Sequence, residues 1–495
     1  MKLDRRTIPY RVLANGSRIV GIILFSLVTS ASSGGSPFGN LFFLVGLVVL
    51  GVGLGVAWEL TRFQRVDYEL TEETFDLNSG VFSRREREIP YHRIQNVDIG
   101  QNVIQRALGI AQVSLETAGG GSTEAQLRYV SREEADRLQN EISRRKRGDT
   151  PETEGDTTAD ADAGETLFAL SDREHLVLGV VSADFRFLGL LSVLAPILAP
   201  QVAGAFGPEA DLLLFFGPAI AIVGLVAFWL LSGFLQVLRY YGFELTQRGD
   251  ELRYERGLLQ RYSGTVPLSK VQTVSVQENV LARALGYASV VIQTAGYAPG
   301  GDGSQVESAV PIAKRDRALS LARSVEPFAD RDFERPPTRA RTRYAVRYAL
   351  GLFLLTGLFR AAHAITELLP FWYVPLAALV AVPVAAHLKW KHIGYYADDD
   401  HVVTRHGFWR RQTIVVPYDR VQTVLSSQTI FQRRRRLGTV VVDTAGSGGF
   451  TSGDAVAIDI DSSVAEGLRE DVAASLQRAL GQTENPARPS NTTRE

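Results

Sequence analysis

Long uncharged runs alternate along this chain with polar, strand-like stretches. Phe38 to Trp58 is 21 residues without a charge, and a helix of about 20 apolar residues crosses a hydrocarbon core roughly 30 Å thick. Ile19 to Thr29, continued through Ser30–Gly35 to Pro37, is a second apolar stretch just before it, so the pair predicts a transmembrane hairpin. The pairing returns at Phe187–Ala205 with Leu212–Leu235, and again at Tyr348 to about Leu369 with Phe371–Leu388. Arg5, Arg6, Arg11 and Arg18 ahead of the first stretch also suit a signal peptide; the recurrence of the pair favours uncleaved helices. The pattern predicts about six transmembrane helices in three hairpins, at residues 15–60, 176–237 and 345–390.

After each hairpin comes a polar module, expected at 63–143, 238–326 and 391–480. Three pieces align without gaps. The first module reads Gly80-Val-Phe, then Ile89-Pro-Tyr-His-Arg-Ile-Gln-Asn-Val, and ends Leu115-Glu-Thr-Ala-Gly119; the second runs from Gly257-Leu-Leu and the third from Gly407-Phe-Trp. Ten residues separate Gly80, Gly257 and Gly407 from Pro90, Pro267 and Pro417, and 27 separate those prolines from Thr117, Thr294 and Thr444. Period-two alternation in Val97-Asp-Ile99 and Val113–Thr117 predicts strands, and the three glycines suit hairpin turns that need positive φ. Proline after an apolar residue suits the edge or start of a strand. Asn102–Gly109 reads as one or two helical turns closed by glycine. Ser131-Arg-Glu-Glu134 and Ser463-Val-Ala-Glu466 read as capping boxes that open a C-terminal amphipathic helix. Strands closing into a small barrel with one helix against it is the simplest packing of such a module.

This order of hairpin, Gly-ten-Pro, Pro-x-x-basic-x-Gln-x-Val, Arg-x-Leu-Gly and Thr-Ala-Gly resembles the bacterial PH-like domain of YdbS/YdbT-type membrane proteins, in the three-module arrangement. The resemblance implies a polytopic membrane protein carrying three PH-like domains, each a partly open seven-stranded barrel capped by a C-terminal helix. It does not imply phosphoinositide binding, because the fold does not fix the ligand. The third copy departs from the pattern: Arg433-Arg-Arg-Arg-Leu437-Gly438 sets Leu-Gly two residues later, which predicts a different short helix or ligand face there.

Lys and Arg mark one side of the spans (Arg11, Arg18, Arg62, Arg65, Arg186, Arg239, Arg341, Arg343, Arg347, Lys389, Lys391), whereas the tips Ser30–Asn40, Gln201–Asp211 and Thr366–Pro370 carry none. The basic side, with the N-terminus and all modules, is therefore expected to be cytoplasmic at the cell membrane. Linkers are expected at 148–165, which is acidic and poor in large apolar residues, and at 327–343, with a tail at 482–495; such composition predicts disorder.

Composition narrows the chemistry. The 495 residues carry a net charge of −1 and no cysteine, and mean hydropathy is +0.01, a sum in which apolar hairpins, basic modules and acidic linkers cancel. Absence of cysteine excludes disulfides, thiolate metal sites and a Cys nucleophile, and the totals argue against nucleic acid as a partner. No P-loop, His-Glu-x-x-His or Gly-x-Ser-x-Gly motif is present, so no catalytic residue, cofactor or metal site is expected and the chain does not read as an enzyme. Gly51-Val-Gly-Leu-Gly55 lies in a span and reads as helix packing rather than a phosphate loop. His387, His392, His401 and His406 match no ligand spacing and read as interface or turn residues.

Basic residues recur: Arg93, Lys270 and Arg420 three after the proline, and Arg106, Arg283 and Arg433 sixteen after it, the last opening the run Arg434, Arg435 and Arg436. Gln95, Gln272 and Gln422 occupy the fifth position. At single positions a structural role, pairing with a carboxylate such as Glu116 or capping the short helix, outweighs contact with anionic lipid or a partner. For the four-arginine run the two readings balance, since anionic lipid is worth on the order of 1 kcal/mol per Lys or Arg. Arg144–Arg147 is a further candidate contact, against a solvated helix end. The sequence thus reads as a non-enzymatic membrane-anchored scaffold or adaptor, in envelope maintenance or stress, whose modules bind membrane lipids, protein partners or each other. The competing reading is a transporter or export component with a pathway near Arg360 and Glu367.

Overall fold

The computed structural model describes residues 3, 4, 6, 7, 10, 11, 41–117, 125–147, 164–182, 210–294, 308–366, 372–445 and 454–484. The spans expected at 19–37 and 187–205, the hairpin tips apart from residues 210, 211 and 366, the acidic stretch 148–163 and the tail beyond 484 lie outside them. The chain forms two compact units, one of residues 1–166 with 242–269, the other of 167–241 with 270–495. The boundary at Ser269/Lys270 divides the second module between them.

In the first unit, α1 (Leu41–Gln64) leads into β1 (Asp67–Leu70), β2 (Thr74–Ser79) and β3 (Arg85–Pro90), a three-stranded antiparallel meander. β4 (Ile94–Gln101), the short helix α2 (Val103–Leu108), β5 (Ile110–Thr117), β6 (Ala125–Ser131) and α3 (Arg132–Arg147) complete the module. Phe75, Leu77, Ile89, Val97, Ile99, Val113, Leu115 and Leu127 from the two meanders share one core with Leu138 and Ile142 of α3; each such side chain contributes roughly 1.5–3 kcal/mol by burial. The predicted period-two alternation is seen in β5, where Val113, Leu115 and Thr117 point inward. Leu3 joins this core, Asp4 N–H donates to the Tyr129 carbonyl at 3.1 Å, and half-buried Arg11 pairs with buried Glu59 of α1 at 3.1 Å. After β7 (Glu165–Ala169), the unit is completed by β8 (Glu244–Arg248), β9 (Glu251–Arg256) and β10 (Arg261–Pro267) of the second module.

The second unit opens with α4 (Asp172–Val181), capped by Ser171 and Glu174, and α5 (Ala210–Tyr240). Gly233 lets α4 and α5 touch backbone to backbone, since a Cβ there would sit 2.4 Å from the Gly179 carbonyl oxygen. β11 (Val271–Asn279), α6 (Val280–Leu285), β12 (Tyr287–Thr294), β13 (Ser308–Lys314) and α7 (Arg315–Val325) form the second half of module two. The third hairpin is α8 (Thr338–Thr366) against α9 (Val374–Ala377), a 3-10 turn and α10 (Val382–Lys391), with Pro375 and Pro383 at the two helix starts. Module three follows: β14 (Gly394–Ala397), β15 (His401–His406), β16 (Arg410–Pro417), β17 (Val421–Ser427), α11 (Ile430–Arg433), β18 (Leu437–Thr444), β19 (Ala455–Asp461) and α12 (Ser462–Glu484). Its core joins Val402, Ile414, Val416, Val440, Val442 and Ile460 to Leu468 and Val472 of α12.

Val223–Tyr240, Thr338–Ile365 and Val374–Lys391 are long and apolar enough to cross a membrane, and their apolar side chains, such as Leu354 and Val380, face outward. Helices apolar on all sides need lipid or protein around them.

Several expectations change. Among the described residues the modules are built of three-stranded antiparallel meanders, two to a module, rather than a seven-stranded barrel, and no sheet closes. The recurrent prolines end β3, β10 and β16 rather than starting strands, where the missing N–H and φ near −60° suit the following 3-10 turn. The segment expected as a linker at 327–343 is held in place: Glu334 bridges Tyr395, Phe328 and Phe333 pack on Tyr396, Val403 and Val415, and α8 already begins at Thr338. In module three the helix begins at Ser462, and Asp461 rather than Ser463 accepts the first free N–H. Leu437-Gly438 is not a displaced Leu-Gly: Arg436, at φ 52°, takes the left-handed place of Gly109 (φ 68°) and Gly286 (φ 75°), so the spacing is kept and the residue type changed. Gly53 and Gly55 of the presumed packing motif have no neighbour within 4 Å of a Cβ position among the described residues.

Candidate functional site: the seams between modules

Successive modules are joined through strand edges. In the first unit β4 of module one pairs antiparallel with β10 of module two: Arg261 opposite Gln101, Tyr262 opposite Gly100, Ser263 opposite Ile99. In the second unit β11 of module two pairs with β16 of module three: Arg411 opposite Glu278, Gln412 opposite Gln277, Thr413 opposite Val276, continuing to Val415 opposite Val274. Counted from each module's own proline the two registers are identical. Arg261 and Arg411 both precede it by six residues, and Gln101 and Glu278 both follow it by eleven.

The recurrent arginines serve these seams. Arg106 donates to the Leu258 carbonyl at 2.8 Å and Arg283 to the Phe408 carbonyl at 3.2 Å, in each case the residue after the turn glycine of the next module. The Val280 N–H of α6 adds a bond to the Trp409 carbonyl at 3.1 Å. The short helix is placed for this by an N-cap twelve residues after the proline: Asn102, Asn279 and Thr429 each accept the third helical N–H. The expected pairing of these arginines with a module carboxylate such as Glu116 is replaced by a clip onto backbone oxygen.

In the second seam Glu278, 4% exposed, accepts a hydrogen bond from Arg411 Nε at 2.6 Å and forms an ion pair with Arg315 Nε at 3.2 Å. Cations crowd there: burial and the neighbouring Arg411 lower Arg283, and the same causes pull Arg405 down to about 10. The first seam is built differently, with Thr265 N–H donating to Asn96 Oδ1 at 3.2 Å and Tyr254 Oη to Asp98 Oδ1 at 3.1 Å.

The other recurrent residues have backbone explanations. Gln95, Gln272 and Gln422 are the bulged positions of β4, β11 and β17, directly after Ile94, Val271 and Val421 pair with Thr117, Thr294 and Thr444. Arg93, Lys270 and Arg420 each end the 3-10 turn after the proline; Arg93 is exposed, Lys270 half-buried, and Arg420 pairs with Asp419 at 3.2 Å. Arg144 and Arg145 pair with Glu141, at 2.5 and 2.7 Å, so that run is only partly free.

The third module differs. Arg433 and Arg434 are exposed, and their side chains have no partner among the described residues. The carbonyls of Arg435 and Arg436 accept from Arg339, at 2.8 and 3.1 Å, at the start of the apolar helix α8. One turn on, Arg343 forks onto Asp459 at 2.7 and 2.6 Å; Asp459 is fully buried and also accepts from Gln432 Nε2 at 2.7 Å. This lock between hairpin and module left no trace in the repeat pattern; the only sequence signal was the pairing of Gln105 with Gln432 at equal distance from the proline. Arg360 lies over the Trp372 ring at 5.6 Å, while Glu367 lies outside the described residues. His401 sits between Glu326 (2.9 Å) and Asp398 (3.3 Å), and among the described residues no three His, Asp or Glu converge on a metal position.

The sequence profile of the bacterial PH domain matches residues 22–146, 187–328 and 350–483. The chain belongs to the bacterial PH domain family. The three matched segments each contain one hairpin region and the module after it. The chain is similar to the transmembrane protein YdbT of Bacillus subtilis, 26% identical over 420 residues that cover 80% of this chain and 83% of YdbT. It is also similar to the transmembrane protein YdbS of Bacillus subtilis, 35% identical over 77 residues, 16% of this chain and 46% of YdbS. No solved structure matches.

Proposed function

We propose that this bacterial PH domain protein is a non-enzymatic, membrane-anchored scaffold, with six spans in three hairpins and all three modules on the cytoplasmic side. The observation that carries this reading is the repeated seam. Two strand-edge junctions with one register turn separate modules into continuous sheets, which is a device for holding surfaces in fixed order. The lipid branch of the reading rests on Arg433 and Arg434. They follow a short helix whose neighbouring carbonyls are held by Arg339 at the foot of α8, so they lie at the level where an anionic leaflet attracts cations.

Hydrogen exchange of the full chain in nanodiscs tests the lipid branch. Amides of residues 430–436 are expected to exchange more slowly when the nanodisc contains anionic phosphatidylglycerol than when it is wholly zwitterionic, and salt should reverse the protection. Equal exchange in both bilayers removes lipid contact and leaves protein surfaces as what the scaffold holds.

A further inference from the structure

Among the described residues, the pairing rule that joins modules one to two and two to three leaves one half of a seam unused in module one and the other half in module three. β3 is the strand equivalent to β10 and β16, and among the described residues it is an edge with β2 as its only sheet partner. β17 is equivalent to β4 and β11, and among the described residues it is an edge with β18 as its only sheet partner. The clip is half-built in the same way. Arg433 corresponds to Arg106 and Arg283 but its side chain has no partner among the described residues. Its acceptor by the same count is the Val81 carbonyl, after the turn glycine Gly80 of module one. The apolar groups beside the seam are more exposed at these ends than in the formed seams: Ile430 61% and Phe431 63% against 48% for Val103 and Ile104, and Phe82 92% against 45% for Leu259 and 76% for Trp409. β17 carries no charged residue, and the charges of β3 alternate as Arg85, Glu86, Arg87 and Glu88 with no net sign. An exposed edge without charge, as β17 is, is unusual in monomeric proteins, which guard edges with charges such as those β3 carries.

We propose that β17 of one copy of this chain pairs antiparallel with β3 of a second copy, in the register of the two internal seams. This deepens the scaffold reading and rests on it. The register sets Arg85 opposite Ser427, Glu86 opposite Ser426, Arg87 opposite Leu425 and Glu88 opposite Val424, with Arg433 donating to the Val81 carbonyl and the Ile430 N–H facing the Phe82 carbonyl. The two joined surfaces are different, so the contact is heterologous and either closes into a ring or continues as a row. Main-chain bonds supply the attraction of such strand addition, and the alternating side chains supply its selectivity.

The absence of cysteine makes the test clean. Arg85→Cys and Ser427→Cys are introduced in separate full-length chains carrying different tags, co-expressed, and oxidised in native membranes. A mixed disulfide dimer is expected for the pair, and only background for either variant alone or for Ser427→Cys with Glu69→Cys, which lies on β1 at the opposite edge of the same sheet. Adding Arg433→Ala is expected to lower the mixed dimer severalfold. As a check independent of the cysteines, native mass spectrometry of the unmodified chain should show dimers and larger species that Leu425→Asp removes. Mixed dimer at background, equal yield with the β1 control, or Ser427 captured by a different protein in its place would each overturn self-pairing. Self-pairing engages Arg433 and the Ile430 N–H and would slow exchange at 430–436 equally in both bilayers, whereas lipid contact slows it only in the anionic one, so failure of self-pairing is distinguishable from failure of lipid contact.

Discussion

Asp459→Asn should be the most damaging single-atom-scale change in the third module. The Asp459 carboxylate has no solvent exposure, and the Arg343 side chain that forks onto it at 2.7 and 2.6 Å is 15% exposed. Replacing the carboxylate by an amide keeps the volume and leaves a buried guanidinium without its counter-charge. Removing one partner of a buried pair costs about 3–5 kcal/mol. Asparagine tolerates the left-handed backbone of this site, φ 55°, so strain offsets only a few tenths of that. For a cooperative unit of a few hundred residues the loss corresponds to a melting temperature lower by roughly 6–15 °C. The assay is thermal unfolding of the full chain in detergent, read by tryptophan fluorescence. The double variant Asp459→Asn with Arg343→Met should recover at least half of the loss, because it removes the stranded charge. A change under about 2 °C in the single variant, or a double variant no better than the single, would refute the claim that this pair locks the hairpin to the module.

Three other outcomes follow from the structure. Burial opposes charging of His401, but its hydrogen bond to Glu326 and the field of Asp398 outweigh that and raise its pKa above the ordinary value. Its contribution to stability is therefore fully present below about pH 6.5 and lost as pH rises through the folded value; unfolding midpoints should fall across that window, and His401→Gln should flatten the dependence. Arg436→Gly relieves a left-handed conformation that costs an L residue about 1–2 kcal/mol, partly offset by the freer unfolded chain, so a small rise in melting temperature is expected and a fall of several degrees would contradict it. Gly233→Val places a side chain where Gly179 backbone sits, so α4 should detach and trypsin should cut faster after Arg173; unchanged cleavage would show that the close approach is dispensable.

Much of the architecture was legible in the residues. Gly80, Gly257 and Gly407 at fixed distance from three prolines located the turns, and all three have positive φ, from 92° to 128°. Asn102 and Gly109 bounded a short helix that forms where their capping chemistry puts it. These are local properties, set by backbone sterics and by hydrogen bonds spanning a few residues. The recurrent arginines and glutamines were visible as positions needing a common cause, but that cause was not legible. A clip from Arg106 to the carbonyl of Leu258, 152 residues away, is made to backbone, and a backbone acceptor leaves no mark in the identity of the residue that offers it.

The amino-acid sequence by itself determined the threefold repeat, the apolar helices and the place of each turn, because periodicity and steric preference act along the chain. The tertiary structure alone decided that modules join through β4 with β10 and β11 with β16, that 327–343 is held against the third module, and that Asp459 meets Arg343. Strand edges present the same N–H and C=O groups whatever their side chains, so partner choice is settled by which edges the fold leaves open.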